Sequence, residues 1–499
     1  MGILFCLTAK QIRENAWPSV VDALSAEQSP SPLGILSFGN GSSEPGPQPN
    51  DARLYEDFLS LDSSLTAPKT VQALALYDQF RVSPEYQEVR FIAIKLLNRA
   101  DLSGTFRFLD REVIVQSVLV DLFEILRSRQ PDLVVFEVTP HEFLPYLLMS
   151  AANFLGVKVL FFQPCPITPA MVPLTGLRDV VRLKKSTVAT TVIAEPLLAT
   201  ARAELDKLVN QSDPRYIELQ RARDAKVRKP AKRIFAVWQS LRWLLRERFP
   251  ESVNFSGHQG GGLVLRNLGT VMLTRSLQRA LGGRVNRLGR GWSGPPDDYV
   301  VFALHYEPER TSLPEGLPIV FQGDAVASLR VNVPHAVAVV VKEHYSQQSA
   351  ALRGFAGRSP DFYDFVEHLP NTYFAPTSER LSDLVGAARA VFTLTGTVAI
   401  ESVLKGTPVG YWGSPWWAGL PGTLRLQSAE DFAALGKLAM PTVDEVFEFF
   451  DQLVGDVMIP GIASEKPEVV ERKLGRLPDG FFHHEALGLL EAIRQVRSS

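Results

Sequence analysis

Two continuous apolar runs of strand length each lead directly into a cluster of polar residues. The first run, residues 299–304, leads into residues 305–309, and the second, residues 336–341, leads into residues 342–344. Runs that are apolar at every position are typical of parallel strands buried on both faces of a sheet. The carboxyl ends of neighbouring parallel strands meet at one edge, where open sheets bind their ligands. The chain is therefore predicted to contain an α/β sheet whose polar strand ends surround one crevice.

A third strand end has the residue pattern of an anion-binding turn. Apolar residues 390–392 precede Thr395, Gly396 and Thr397, which open a short helical stretch. Such a turn presents backbone N–H groups and hydroxyls, which suit a phosphate. Glu401 lies four residues after Thr397 on the same helix face, where its carboxylate can accept hydrogen bonds from sugar hydroxyls. An alternative stays open, in which Thr397 only caps the helix and Glu401 is solvated.

A β-α-β unit is predicted in the amino-terminal half. Residues 132–136 and 156–162 form apolar strands on either side of a helical pattern. Thr139, Pro140 and Glu142 fit the N-cap, the first helical position and the glutamate of a capping box. The helix is therefore predicted to begin at Pro140, which gives Glu142 a structural role.

Length and composition restrict the class of protein. With 499 residues the chain is expected to form two or three domains, and its net charge of -2 argues against a general nucleic-acid binder. Two cysteines, Cys6 and Cys165, are too few for a disulfide scaffold or a four-cysteine zinc site and fit a reducing cytoplasm. The first ten residues lack a basic leader, so a first strand is expected there rather than a signal peptide. No uninterrupted apolar stretch reaches the roughly 18 residues that span a bilayer, so any membrane contact would be made from the side.

Residues 178–291 are predicted to form a helical, basic region. Basic residues beside tryptophans at helical spacing fit a surface that rests on anionic lipid headgroups. The alternative is an ordinary solvated helix whose tryptophans pack on the core. The residues concerned are Arg221, Arg223, Lys226, Arg228, Lys229, Lys232, Arg233, Arg242, Arg246 and Arg248, with Trp238 and Trp243.

The order of the strand ends resembles that of the bacterial capsular and lipopolysaccharide glycosyltransferases. More narrowly, it is similar to the group that includes the CMP-Kdo-dependent capsule transferases. Tyr345 follows His344 where the resemblance would place the proline of a His-Pro pair. The match is good from residue 296 to about residue 425 and thin in the amino-terminal half. The segments that carry it are residues 301–309, 341–344, 361–363, 369–371 and 395–401.

The resemblance implies the GT-B fold, in which two Rossmann-like domains face each other across a cleft. Residues 292–298 have the composition of an interdomain linker. The amino-terminal acceptor domain is predicted to comprise residues 1–295, with the helical basic region inserted in it. The carboxy-terminal nucleotide-sugar donor domain is predicted to comprise residues 296–460, followed by a helical tail, residues 461–499.

The resemblance also implies where the donor nucleotide binds. A CMP-linked sugar is favoured on that resemblance, and a UDP-linked sugar comes second. For His305 and His344 the alternative is a hydrogen-bonded place at the rim of the sheet. The predicted donor-binding residues are His305, Glu307, Lys342, His344, Thr395, Gly396, Thr397 and Glu401.

Two residues are predicted to act as catalytic groups. Glu137 follows the strand 132–136 at its carboxyl end and has no capping role, so its carboxylate is the first choice for the base that takes the proton of an acceptor hydroxyl. His141 is the second choice, because a comparable Pro-His turn precedes the same kind of helix in the family that the chain resembles. An equal alternative for His141 is a ring that only bonds a neighbouring loop.

The implied activity is transfer of a sugar from a nucleotide-activated donor to a saccharide acceptor, expected to be lipid-linked, in surface polysaccharide synthesis. Two alternatives stay open: a sugar-nucleotide epimerase or hydrolase on the same fold, and a silent module that binds glycan. Because no Asp-x-Asp pair follows a strand, turnover without a metal is expected, with no cofactor besides the donor substrate. The expected location is the cytoplasm, with contact to the inner membrane surface left open and no nucleic-acid partner.

Overall fold

The computed structural model describes residues 2–6, 16–26, 33–38, 54–59, 67–100, 107–178, 182–183, 191–210, 263–348, 354–461, 467–476 and 478–499. These residues form two compact units. The first unit contains the described residues up to Thr200 together with those of Gln452–Ser499, and the second contains those between Ala201 and Asp451. The predicted boundaries differ from this division, because the described part of residues 201–295 groups with the second unit and the tail groups with the first.

The helices and strands alternate along most of the described chain. The first elements are β1 (Gly2–Cys6), α1 (Trp17–Ala26), β2 (Leu33–Phe38), β3 (Leu54–Leu59), α2 (Val71–Arg81), α3 (Tyr86–Ala100), α4 (Phe108–Arg129), β4 (Pro131–Phe136), α5 (Phe143–Phe154), β5 (Lys158–Pro164), β6 (Ala170–Leu174) and α6 (Thr191–Val209). They are followed by α7 (Leu263–Val285), β7 (Tyr299–Ala303), α8 (Gln322–Asn332), β8 (Ala338–Lys342), α9 (Pro360–Glu367), β9 (Thr372–Phe374), α10 (Leu381–Val385), β10 (Val391–Thr393), α11 (Val398–Leu404), β11 (Val409–Tyr411), β12 (Thr423–Arg425), α12 (Ala429–Leu435) and α13 (Val443–Asp456). The last are β13 (Ile459–Pro460), α14 (Pro467–Leu474) and α15 (Phe481–Ser498).

The first unit is built around a seven-stranded sheet in the order β13-β6-β5-β4-β1-β2-β3. Strands β1 to β5 are parallel to one another, whereas β6 pairs antiparallel with both β5 and β13. Cys6 at the end of β1 lies opposite Phe136 at the end of β4. The strand order reverses between β1 and β4, as in a Rossmann sheet, so the ends of these two strands flank a switch point. Helices α1 and α15 pack on one face of this sheet around Trp17 and Phe162.

The second unit contains a six-stranded sheet in the order β12-β11-β10-β7-β8-β9, and every pair in it is parallel. This is the doubly wound order of a Rossmann fold, with its reversal between β7 and β10. All residues of β7 and β8 are buried, as predicted for central parallel strands. Side chains of α7, α8 and α9 pack on this sheet around Phe302 and Val339.

The predicted α/β class, with two Rossmann-like sheets in one chain, is confirmed. The predicted first strand is present as β1. The region 178–291 is helical in α6 and α7, but its basic and tryptophan-containing run from Arg221 to Arg248 lies outside the described residues. Among the helices that the structure describes, none is both long and apolar enough to cross a membrane.

The predicted start of helix α5 is wrong. The helix begins at Phe143, with Glu142 as an N-cap whose side chain makes no capping bond. The reason is Pro145: in a helix that began at Pro140, Pro145 would occupy the interior and could not donate to the carbonyl of His141. In a helix that begins at Phe143, Pro145 lies in the first turn, where no such donor is needed.

Candidate functional site

The carboxyl ends of β10, β7 and β8 lie side by side at one edge of the second sheet. His305 follows β7, Lys342 ends β8, and the turn 394–397 follows β10. The three polar clusters predicted from the sequence therefore lie on adjacent strands. Of these three strands, β10 and β7 flank the point where the strand order reverses, which is where open α/β sheets bind ligands.

His305 is hydrogen-bonded to the turn that follows β10. Its Nε2 accepts the backbone N–H of Thr395 at 3.1 Å and lies 3.0 Å from Oγ1 of Thr393. The Thr393 hydroxyl accepts the N–H of Gly396 at 3.1 Å. The His305 side chain is buried, with 7% of the residue exposed. The end of β7 and the turn after β10 are thus one connected structure.

These contacts change the role predicted for the turn. Two of its backbone N–H groups, those of Thr395 and Gly396, donate within the protein, and the Thr395 hydroxyl donates to the carbonyl of Thr311 at 2.7 Å. Gly396 is required for this geometry, because a Cβ there would lie 2.6 Å from Thr393 Oγ1. Gly396 and Thr397 are the half-buried part of the turn. A ligand would therefore contact Thr397 rather than all residues of the turn.

Two glutamine side chains fix the backbone after β7. Gln322 accepts the N–H of His305 at 2.7 Å and donates to its carbonyl at 3.2 Å. Gln347 does the same for Glu307, at 2.9 and 3.0 Å. Sequence reasoning missed both glutamines, because neither follows a strand and no motif marks them.

Arg358 is a buried cation that sequence reasoning also missed. Its side chain is 1% exposed, and its Nε lies 3.2 Å from Oε2 of Glu343. It donates to the carbonyl of His305 at 2.8 Å, and its other terminal nitrogen lies 3.9 Å from Oε2 of Glu307. Tyr363 donates to Glu343 at 2.7 Å. The only sequence signal near Arg358 is the Ser-Pro pair that starts α9, and it says nothing about burial.

Burial, helped by neighbouring cations, keeps both histidines neutral. Burial lowers the pKa of His305 to about 3, with further lowering by His344 and Arg358. Burial likewise lowers the pKa of His344 to about 4, helped by Arg358 and Lys342. Burial alone would lower the pKa of Arg358, but Glu343 and Glu307 outweigh it and raise that pKa. At neutral pH the edge therefore presents uncharged imidazoles beside cationic side chains.

Lys342 at the end of β8 and Glu401 on α11 both have protein partners of their own. The Lys342 ammonium donates to the carbonyl of Pro376 at 3.0 Å, and the residue is 8% exposed. Glu401 on α11 is 9% exposed and pairs with Lys405 at 3.2 Å, so the alternative of a solvated Glu401 is wrong. Thr397 is the N-cap of α11, but its side chain makes no capping bond.

In the first unit, Glu137 directly follows β4 and is 8% exposed. It lies near Cys6 at the end of β1, whose pKa is raised first by burial and then by the charges of Glu137 and Glu142. His141 is half-buried, and its Nδ1 lies 2.9 Å from the carbonyl of Thr139. Since a carbonyl only accepts, Nδ1 carries a proton in this contact. Both predicted catalytic residues are thus placed beside the switch point of the first sheet.

The structure brings the predicted residues together in two groups, one in each unit. His305, Lys342, His344 and the turn after β10 belong to the second, and Glu137 and His141 to the first. Among the residues that the structure describes, no group of three His, Cys, Asp or Glu side chains is arranged to hold a metal ion.

No family model and no curated protein matches this chain. Several solved structures are similar to it. UDP-GlcNAc 2-epimerase from Methanocaldococcus jannaschii is 13% identical, with 88% of this chain and 92% of that chain covered and a TM-score of 0.22. KpsC from Thermosulfurimonas dismutans, a beta Kdo 2,7 transferase, is 13% identical, with 70% and 97% covered and a TM-score of 0.25. The glycosyltransferase SnogD from Streptomyces nogalater is 13% identical, with 98% and 99% covered and a TM-score of 0.19. With such low scores these likenesses carry no functional argument, and the fold rests on the strand order itself.

Proposed function

We propose that the protein is a GT-B glycosyltransferase that moves a sugar from a nucleotide-activated donor to a saccharide acceptor in bacterial surface polysaccharide synthesis. The observation that carries the proposal is the hydrogen-bonded junction of His305 with the turn after β10, at the switch point of the second sheet. The resemblance of the strand-end residues to capsular and lipopolysaccharide transferases supports the sugar chemistry, which the fold alone does not fix.

The donor would bind at this edge through its phosphate. Lys342 would neutralise phosphate charge, His344 would donate to a phosphate or leaving oxygen, and Thr397 would add its hydroxyl and N–H. Glu307 and Glu401, each already close to a cation of the protein, would accept hydrogen bonds from sugar or ribose hydroxyls. CMP is the favoured nucleotide and UDP the second.

A thermal-shift screen against CMP, UDP, GDP and dTDP tests the proposal directly. A ligand that binds only the folded protein stabilises it and so raises its melting temperature. At a ligand concentration of about a hundred times Kd, the free energy of unfolding rises by about 2.7 kcal/mol. We expect CMP to give the largest rise. No rise with any of the four nucleotides would contradict the proposal, and cleavage of a nucleotide sugar without any acceptor would favour the epimerase or hydrolase alternative.

Replacing Lys342 with alanine should weaken nucleotide binding by about 1–3 kcal/mol, the range of a charge-assisted hydrogen bond. Isothermal calorimetry with the nucleotide from the screen measures the effect. Lys437, an exposed lysine of the same unit, gives a matched control, and Lys437→Ala should leave binding unchanged. Equal affinities for the two variants, with both folded, would remove Lys342 from the site.

Turnover should not depend on a divalent metal ion. Cationic side chains and backbone donors can stabilise a departing phosphate in place of a metal. The measurement is sugar transfer before and after EDTA treatment. Full loss of activity that magnesium or manganese restores would contradict this expectation.

The acceptor is proposed to be a lipid-linked saccharide, reached from the cytoplasmic side of the inner membrane. The support is the basic run from Arg221 to Arg248 with Trp238 and Trp243 interleaved, whose composition fits an anionic lipid surface.

A further inference from the structure

We propose that His305 is held as one fixed tautomer, with its proton on Nδ1, and that this N–H is an uncharged hydrogen-bond donor to an anionic ligand oxygen. His344 is held in the opposite tautomer, with its proton on Nε2. The identity of the ligand as a phosphate rests on the proposed function, whereas the tautomers do not.

The hydrogen bonds of His305 determine its tautomer. A backbone N–H can only donate, so Nε2, which receives the N–H of Thr395 at 3.1 Å, must hold a lone pair. The Thr393 hydroxyl accepts the N–H of Gly396 and can therefore direct its own hydrogen to the same Nε2 at 3.0 Å. A neutral ring with Nε2 as acceptor carries its proton on Nδ1.

The Nδ1–H of His305 is the group that would donate a hydrogen bond to a ligand. The residue is more than nine-tenths buried, and within the described part of the chain no protein group is hydrogen-bonded to Nδ1. An imidazole N–H without a protein partner is a donor that a ligand can use. The ring also lies at the reversal point of the sheet, where a ligand is expected. An anionic oxygen fits this donor, because the neighbouring Lys342 supplies the opposite charge.

His344 shows the complementary arrangement. Its Nδ1 accepts the backbone N–H of Ser346 at 3.2 Å, so its proton lies on Nε2. Neither ring has reason to become charged, because burial and the cation of Arg358 lower both pKa values. The charged or titratable groups around the two rings are Lys342 and Glu343 at the end of β8, Tyr306 and Glu307 after β7, and Arg358 and Tyr363 before and within α9.

Lys342 and His305 would therefore contribute to ligand binding in different ways. Lys342 supplies the charge that attracts an anion, while His305 supplies a donor whose strength does not change with pH. His305 would then neither protonate a leaving oxygen nor accept a proton from an acceptor.

Long-range ¹⁵N–¹H NMR spectra of the full chain, labelled at histidine, test the tautomers without any ligand. The single variants His305→Asn and His344→Gln assign the two rings, and solvent-exposed histidines of the same chain serve as internal controls for titration. We expect His305 to show a protonated Nδ1 and His344 a protonated Nε2, both unchanged from pH 5.5 to 8. Protonation of either ring within that range, or the reverse tautomers, would overturn the inference even if a nucleotide binds.

A pair of variants at His305 tests the donor. Asparagine keeps an N–H group near the position of Nδ1, leucine does not, and both lose the Nε2 acceptor. The probes are CMP, UDP and inorganic phosphate, measured by calorimetry at pH 6 and pH 8. We expect His305→Asn to bind within about threefold of the unaltered protein and His305→Leu to bind about tenfold more weakly, the effect of one lost hydrogen bond. Equal affinities for the two folded variants would remove His305 as a donor. If neither CMP, UDP nor phosphate binds the unaltered protein, the proposed function and the donor role fail together, while the tautomers are still decided by the NMR spectra.

Discussion

Replacing Arg358 with methionine should destabilise the second unit by about 3–5 kcal/mol, the cost of removing one partner from a buried ion pair. The guanidinium is almost completely excluded from water, and it binds Glu343 and the carbonyl of His305. Without it, the Glu343 carboxylate would remain buried without its cation. Urea unfolding followed by tryptophan fluorescence measures the effect, because Trp412, Trp416 and Trp417 are all buried in this unit.

Arg389 provides the matched control for this prediction. It pairs with Asp298 in the same unit, but the two side chains are 62% and 38% exposed. Surface pairs contribute about 0–1 kcal/mol, so Arg389→Met should change the free energy of unfolding little. The double variant Arg358→Met with Glu343→Gln should lose less unfolding free energy than Arg358→Met alone, because the Glu343 carboxylate is then no longer buried without its cation. A loss for Arg358→Met no larger than that for Arg389→Met would show that the network does not stabilise the unit.

The edge of the second sheet could be predicted because its signal is local. A parallel strand buried on both faces is apolar at each position, and β7 and β8 show this directly in the sequence. The polar residues that follow such strands must then lie at one edge, whatever the loops do. The placement of His305, Lys342 and the turn after β10 on adjacent strands follows from that rule.

The contacts that hold this edge together could not be predicted, because they join residues that are distant in sequence. Gln322 binds the backbone of His305 across 17 positions, and Gln347 binds that of Glu307 across 40. Glutamine and arginine side chains are mostly exposed, so composition gives no reason to bury Gln322, Gln347 or Arg358. Only the folded chain shows that these three side chains fix the loop after β7.

Local rules were wrong for the start of α5 and incomplete for the turn after β10. Thr139, Pro140 and Glu142 match a capping box, but Pro145 excludes a helix that starts so early. The turn 394–397 matches a phosphate-binding pattern, but His305 and Thr393 already accept two of its N–H groups. In both places a second residue, outside the motif, decides which groups remain available.

Replacing Glu137 with glutamine should lower turnover by about 100-fold or more and leave donor affinity nearly unchanged. Transfer to a hydroxyl needs a group that takes its proton as the new bond forms, and glutamine keeps the shape of glutamate while removing its basicity. Glu137 lies beside the switch point of the first sheet, near the buried thiol of Cys6, and is itself mostly shielded from solvent. Single-turnover measurements with a saturating donor separate the chemical step from product release.

Glu142 and His141 make the prediction for Glu137 specific. Glu142 is an exposed carboxylate that also lies near Cys6 and makes no capping bond, so Glu142→Gln should keep its turnover. His141 is the second candidate, because an imidazole can act as a general base. If Glu137→Gln keeps most of its turnover while His141→Gln loses about 100-fold, the imidazole is the base and Glu137 is structural. If only Glu137→Gln loses turnover, His141 can at most orient the acceptor, since a second essential base would make both substitutions costly.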